Sequence, residues 1–208
     1  MRGLAHFTRG SIKQAIADAS AAIRLDPNAS VSFRVRGLAH LYADDPRSAA
    51  DDFADAVRLA PSDAVGVIML HVARVRVGHE DTQEFRANVA KVDRSEWPGP
   101  LVEVLTGEST VERVGDIAKS SEFEKTRSER LCDARVYFGL LQLTAGDKAQ
   151  ARKLFGAAAE DCPPGTTEAA ERAVAKMELR QLGAASPRAR PSRTPTPQMS
   201  EDSARRSR

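Results

Sequence analysis

Ser30-Val31-Ser32-Phe33-Arg34-Val35-Arg36-Gly37-Leu38-Ala39-His40-Leu41-Tyr42 is followed by Ala43-Asp44-Asp45-Pro46 and then by Arg47-Ser48-Ala49-Ala50-Asp51-Asp52-Phe53-Ala54-Asp55-Ala56-Val57-Arg58-Leu59-Ala60-Pro61-Ser62-Asp63. These 34 residues read as a helical run, a short turn, a second helical run and a proline. The small residues Gly37, Ala49 and Ala56 allow two helices to approach closely, and Phe53 fills the space between them and the next pair. Asp45-Pro46 starts the second helix with a side-chain cap and a pre-set dihedral. Pro61 stops it, because it has no N–H to donate to the helical ladder.

The stretch recurs. Arg2-Gly3-Leu4-Ala5-His6 returns as Arg36-Gly37-Leu38-Ala39-His40, an offset of 34, and the same offset takes Ala15 to Ala49, Ala22 to Ala56 and Pro27 to Pro61. Far downstream, Gly139, Gly146, Ala151, Phe155, Ala158 and Pro163 keep the spacing of Gly37, Asp44, Ala49, Phe53, Ala56 and Pro61. A fixed period of this size marks a repeat architecture, in which each unit leaves an apolar face that only a neighbour can cover.

This spacing resembles the tetratricopeptide repeat over residues 1–63 and 132–165. The resemblance implies an all-α fold, a right-handed α-solenoid of antiparallel helix hairpins. A finer resemblance rests on Leu70-His71-Val72-Ala73-Arg74-Val75-Arg76-Val77-Gly78, Glu96-Trp97-Pro98-Gly99-Pro100, Leu131-Cys132-Asp133-Ala134, Tyr137-Phe138-Gly139, Gly146-Asp147-Lys148 and Cys162-Pro163. These resemble bacterial NlpI-like tetratricopeptide lipoproteins, extracytoplasmic scaffolds that dock envelope enzymes, including cell-wall hydrolases. The likeness implies a periplasmic or envelope location. No secretory signal opens the chain, and an authentic start would instead imply the cytoplasm.

Taken in order, the units are 1–29, 30–63, a degenerate 64–97, a helical insertion at 98–131, and 132–165; a capping helix over 167–182 follows. Met1 falls inside the first helix of the first copy, so the reading expects a chain cut at its N-terminus, with any signal or lipid anchor missing. In the degenerate unit Asp81 and Glu84 suggest a capping box, with Ala87, Val89, Ala90 and Val92 facing inward. Trp97 reads as a core plug under a Pro-Gly-Pro turn, with a ligand platform as the alternative. The insertion reads as three helical pieces: Leu101 to Leu105 ending near Gly107, Ser109 to about Lys119, and a longer one from Ser121 running into Cys132. The capping helix places Ala170, Val174, Met177 and Leu182 inward and Glu171, Arg172, Glu178 and Arg180 elsewhere, and ends at Gly183. Residues 1–183 form the solenoid, and 184–208 form a Pro-, Ser- and Arg-rich tail that reads as disordered.

Composition agrees. Aromatics make up 5% and alanine is abundant, which favours helix over strand. No run of about 18 apolar residues is present, so a membrane span is excluded from the reading. The net charge of +2 is an average: residues 186–208 hold six Arg and two acidic residues, leaving 25 basic and 27 acidic residues before them. A slightly acidic body is not the footprint of a specific nucleic-acid binder.

Candidate sites are few. No glycine-rich phosphate loop, nucleophile elbow or Cys–His arrangement appears, so no catalytic residues and no cofactor are assigned. His6 and His40 share one repeat position, His71 and His79 stand apart, and no spacing matches a zinc site. Asp51, Asp52 and Asp55 read as solvated surface. Cys132 and Cys162 fall at adjacent ends of the last unit's helices. They are open between two buried thiols and a disulfide, which the resemblance favours and which would stabilise by about 3–4 kcal/mol in an oxidising compartment.

The functional candidate is a groove lined by the first helix of each unit: Leu4, Phe7, Arg34, Leu38, Leu41, Tyr42, Ile68, Val72 and Arg76. An apolar face with two Arg handles suits a peptide bearing carboxylates. The alternative is that the insertion or a second subunit, as in a homodimer, covers this face. The leading function is therefore a non-catalytic scaffold for a protein or peptide partner. A regulatory subunit or cap of an enzyme complex stands as one alternative, and tethering of an anionic polymer by the basic tail as another.

Overall fold

The computed structural model describes residues 2–79, 81–120, 124–162 and 168–184. They form α1 (Arg2–Thr8), α2 (Ile12–Leu25), α3 (Ser30–Leu41), α4 (Pro46–Leu59), α5 (Ala64–Arg76), α6 (Thr82–Val89), α7 (Leu101–Thr106), α8 (Val111–Lys119), α9 (Glu124–Thr144), α10 (Lys148–Asp161) and α11 (Glu168–Ala184), with no strand among the described residues. The protein is thus all-helical, and helices neighbouring in sequence pack in sequence order from α1 through α5 and again from α8 through α11. Among the described residues no helix is long and apolar enough to cross a membrane. The proposed tail from 185 onward lies outside the described residues.

The period of 34 is visible in the backbone. Gly10, Asp44, Gly78 and Gly146 share one register position, and all have positive φ, at 78°, 61°, 72° and 87°. At each, the next N–H donates back five residues: Ser11 to His6 O, Asp45 to His40 O, His79 to Arg74 O and Asp147 to Gln142 O. This is the six-to-one bond of a helix end closed by a left-handed residue, which satisfies carbonyls the helix would otherwise leave bare. The following helix is capped alike in two units: Asp45 accepts from Ser48 N and Asp147 from Gln150 N. The far ends also match, with Asp26 N donating to Ala22 O, Ala60 N to Ala56 O and Cys162 N to Ala158 O.

Packing repeats with the backbone. Phe53 and Phe155 are fully buried, each against the glycine 16 positions before it. A Cβ on Gly37 would stand 3.1 Å from the Phe53 ring, and one on Gly139 only 2.6 Å from the Phe155 ring. Arg2 clasps Asp18 with two bonds of 2.7 Å, and at the same offset Arg36 clasps Asp52 at 2.6–3.1 Å. Asp52 is therefore buried, not the solvated surface its sequence context suggests; Asp51 is exposed.

The third unit departs from expectation in two ways. Asp81 does not cap α6 with its side chain; it turns inward and bonds His71 Nδ1 at 2.9 Å, while His71 stacks on Phe85. The inner face of α6 and its exit is Phe85, Asn88, Val89 and Val92, whereas Ala87 and Ala90 are exposed. Burial of Phe85 and its His71 contact set the rotation of this short helix.

Between α6 and Cys132 lie α7, α8 and the start of α9. Gly107 ends α7 with φ of 76°, and Thr110 caps α8 by accepting from Arg113 N. The third piece continues as α9 through Cys132 without a break, while Ser121, its proposed start, lies outside the described residues. Cys132 and Cys162 are joined by a disulfide between α9 and the end of α10, and both are buried.

The last helix does more than close the end of a stack. It runs through Gly183 to Ala184 and packs against α10, α9 and also α1. Arg172 donates to Ala159 O and Arg152 to Leu182 O, which ties it to α10. Its Glu178, assigned above to the polar side, is 1% exposed.

Candidate functional site

Between α1, α3 and α5 on one side and α9 and α11 on the other lies a cleft of about 680 Å³. Its walls follow the repeat register. Val31, Val65 and Asp133 share one position, Val35, Met69 and Tyr137 another, Leu4, Leu38 and Leu140 a third, and Arg34 and Val136 a fourth. The same helical face of four units thus meets around one space, and α11 adds Ala170, Glu171 and Val174.

The sequence-derived groove residues divide into three groups. Leu4, Arg34 and Leu38 line the cleft. Phe7, Leu41, Ile68 and Val72 are buried in the core, at 0–2% exposure, where they support the wall from behind. Tyr42 and Arg76 lie together at a separate contact with α11. There the Tyr42 hydroxyl donates to Glu178 Oε1 at 2.6 Å and Arg76 Nη2 donates to the same oxygen. Arg76 also stands over the Tyr42 ring at 5.8 Å, and Phe7 packs on that ring. Burial, and then the Glu178 charge, push the Tyr42 phenol well above the ordinary tyrosine range, opposed by Arg76.

Both guanidiniums proposed as handles for a partner's carboxylate thus have carboxylates of their own. Arg76 has Glu178, and Arg34 bonds Asp63 Oδ2 at 2.7 Å. Asp63 is placed by its capping role, its other oxygen accepting from Val65 N at the start of α5.

The far wall supplies residues that the sequence reading missed: Asp133, Tyr137 and Glu171. The signal was present, since adding three periods to Val31, Val35 and Leu38 reaches Asp133, Tyr137 and Leu140. Trp97 is half-buried, packs against the core and also bridges. Its Nε1 donates to Asp133 Oδ2 at 2.9 Å, and Arg130 lies over its ring at 5.7 Å. Gly99, beside it, admits no side chain, because a Cβ there would stand 2.0 Å from Asp93 O. Within the same wall the Tyr137 hydroxyl donates to Glu171 Oε1 at 3.3 Å.

His6 and His40 repeat each other's setting, His6 lying 3.5 Å from Asp18 and His40 4.0 Å from Asp52. Among the described residues no group of three His, Cys, Asp or Glu is placed to hold a metal ion.

No protein-family model matches this chain, and the comparison with curated proteins finds no match.

Proposed function

We propose that this chain is a non-catalytic protein-interaction module of the tetratricopeptide kind, a right-handed α-solenoid of antiparallel hairpins whose cleft receives a short segment of a partner protein. The observation that carries this reading is the cleft itself, about 680 Å³ with walls drawn from equivalent positions of four units. Ligand sites are commonly of this size, mostly apolar, with a few oriented polar groups. The four matching turns support the repeat class. The Cys132–Cys162 disulfide supports residence in an oxidising compartment, and with the family resemblance it favours docking of cell-envelope enzymes.

A photo-crosslinking residue at Val31, on the exposed rim of the cleft, tests the reading in cell extract. The expected result is a crosslink to one partner polypeptide that disappears when Met69→Trp fills the cleft while the helical circular dichroism stays unchanged. Crosslinks that persist in the filled variant would remove the cleft from the binding surface.

A further inference from the structure

A second cavity, of about 340 Å³, lies between α5, α7, α8 and α9, and no residue that lines it lines the cleft. Val75, Val104, Leu105, Val111 and Phe138 make its wall largely apolar, and Ala145 in that wall is exposed, so the cavity opens to solvent. Among the described residues no Asp, Glu, Lys or Arg lines it. Two polar side chains in the wall keep hydrogen-bonding capacity to spare, His71 and Gln142; the third, Thr144, donates to Leu141 O at 2.8 Å.

His71 is held on two sides. Its Nδ1 bonds the buried Asp81 at 2.9 Å, and its ring stacks on Phe85 with centroids 4.5 Å apart. A carboxylate only accepts, so Nδ1 carries the proton and Nε2 of the neutral ring is left as an acceptor. Nε2 makes no bond among the described residues and is open to solvent. The Gln142 side-chain amide, half-buried, also makes none.

These features sort the ligands. An ion would give up its water here without meeting an opposite charge in the wall. A wholly apolar group would cover Nε2 and the amide and leave both unpaired. An indole N–H could serve Nε2 but offers the amide no acceptor. A phenol presents a flat apolar ring to the wall and one oxygen that both donates and accepts. We propose that this cavity is a second binding site and takes a phenol, the side chain of a tyrosine on a partner protein, its hydroxyl donating to His71 Nε2 and accepting from the Gln142 amide. That the phenol comes on a partner protein rests on the chain being an interaction module. The cavity is separate from the cleft, so this test and the Val31 crosslink can fail independently.

Titration of the full chain, followed by nitrogen NMR of the histidine rings, tests it. p-Cresol and N-acetyltyrosinamide are expected to bind and to shift the His71 Nε2 signal, and toluene to bind about tenfold more weakly. Gln142→Leu, which leaves the His71–Asp81 pair in place, should cut the preference for p-cresol over toluene several-fold. Leu105→Trp should abolish binding by filling the cavity. If that variant loses its helical circular dichroism, the Nε2 shift in the unaltered protein decides. Equal binding of p-cresol and toluene, or bound p-cresol that leaves Nε2 unmoved, overturns the hydrogen-bonded phenol. p-Cresol bound with N-acetyltyrosinamide refused overturns the partner's tyrosine in favour of a free phenol. Absence of binding by all three at millimolar concentration overturns the site, and leaves the cleft reading to its own crosslink.

Discussion

Glu178 is buried between a phenol at the end of α3 and a guanidinium of α5. Removing one member of a buried charged group costs more than replacing the group, because it strands the remaining charge. Glu178→Ala is therefore expected to destabilise by on the order of 3 kcal/mol in urea unfolding, while Glu178→Met with Arg76→Met recovers most of the loss. Equal losses in the single and paired variants would show that shape alone matters there. The two tyrosines, Tyr42 and Tyr137, are both held neutral by burial and nearby carboxylates. Their folded pKa lies above the unfolded value of about 10, so the stability they contribute is full below that pH and declines as pH rises through the folded value. Alkaline titration should show phenolate absorbance rising together with loss of helical circular dichroism. Absorbance that rises near pH 10 while the helices persist would contradict this.

At the scale of the element, the contact between α9 and α10 is the tightest test of repeat packing. Gly139→Ala would drive a Cβ into the Phe155 ring, whereas at Gly37 the Phe53 ring lies 0.5 Å farther off, at 3.1 against 2.6 Å. The expected cost is about 1–3 kcal/mol at Gly139 and less at Gly37, compared by thermal unfolding of the two variants. The same pair of helices is joined by the disulfide, across a sequence separation of 30. Reduction, or Cys132→Ala with Cys162→Ala, is expected to remove about 3–4 kcal/mol in the chain-entropy account. Denaturation with and without reductant measures it, and coincident curves would rule that contribution out. The period was legible in glycines and prolines because turns and helix ends are dictated by residues a few positions apart. Asp44 shows the limit of composition: it takes a left-handed turn position that three other units give to glycine. The rotation of α6 was not legible, because the inward turn of Asp81 depends on His71 in the preceding helix.

For the whole molecule, α11 links the first helix to the last unit by packing on α1, α9 and α10 and by supplying part of one wall of the cleft. Truncation before residue 168 should bare the apolar faces that Val174 and Ala175 cover. We expect dye-detected exposed apolar surface and a broadened unfolding transition. A truncated chain that unfolds as sharply as the parent would show that α11 is an accessory. The sequence by itself determined the helices, their boundaries at glycine, aspartate and proline, and the register that places Leu4, Leu38 and Leu140 at one position. These follow from local hydrogen bonding and from which side chains fit between adjacent helices. Only the tertiary structure decided that Arg76 and Tyr42 meet Glu178, from 102 and 136 positions away, and that Asp133 and Glu171 face Arg34 across one space. Those meetings depend on a sum of many helix packing angles that no single stretch of chain encodes.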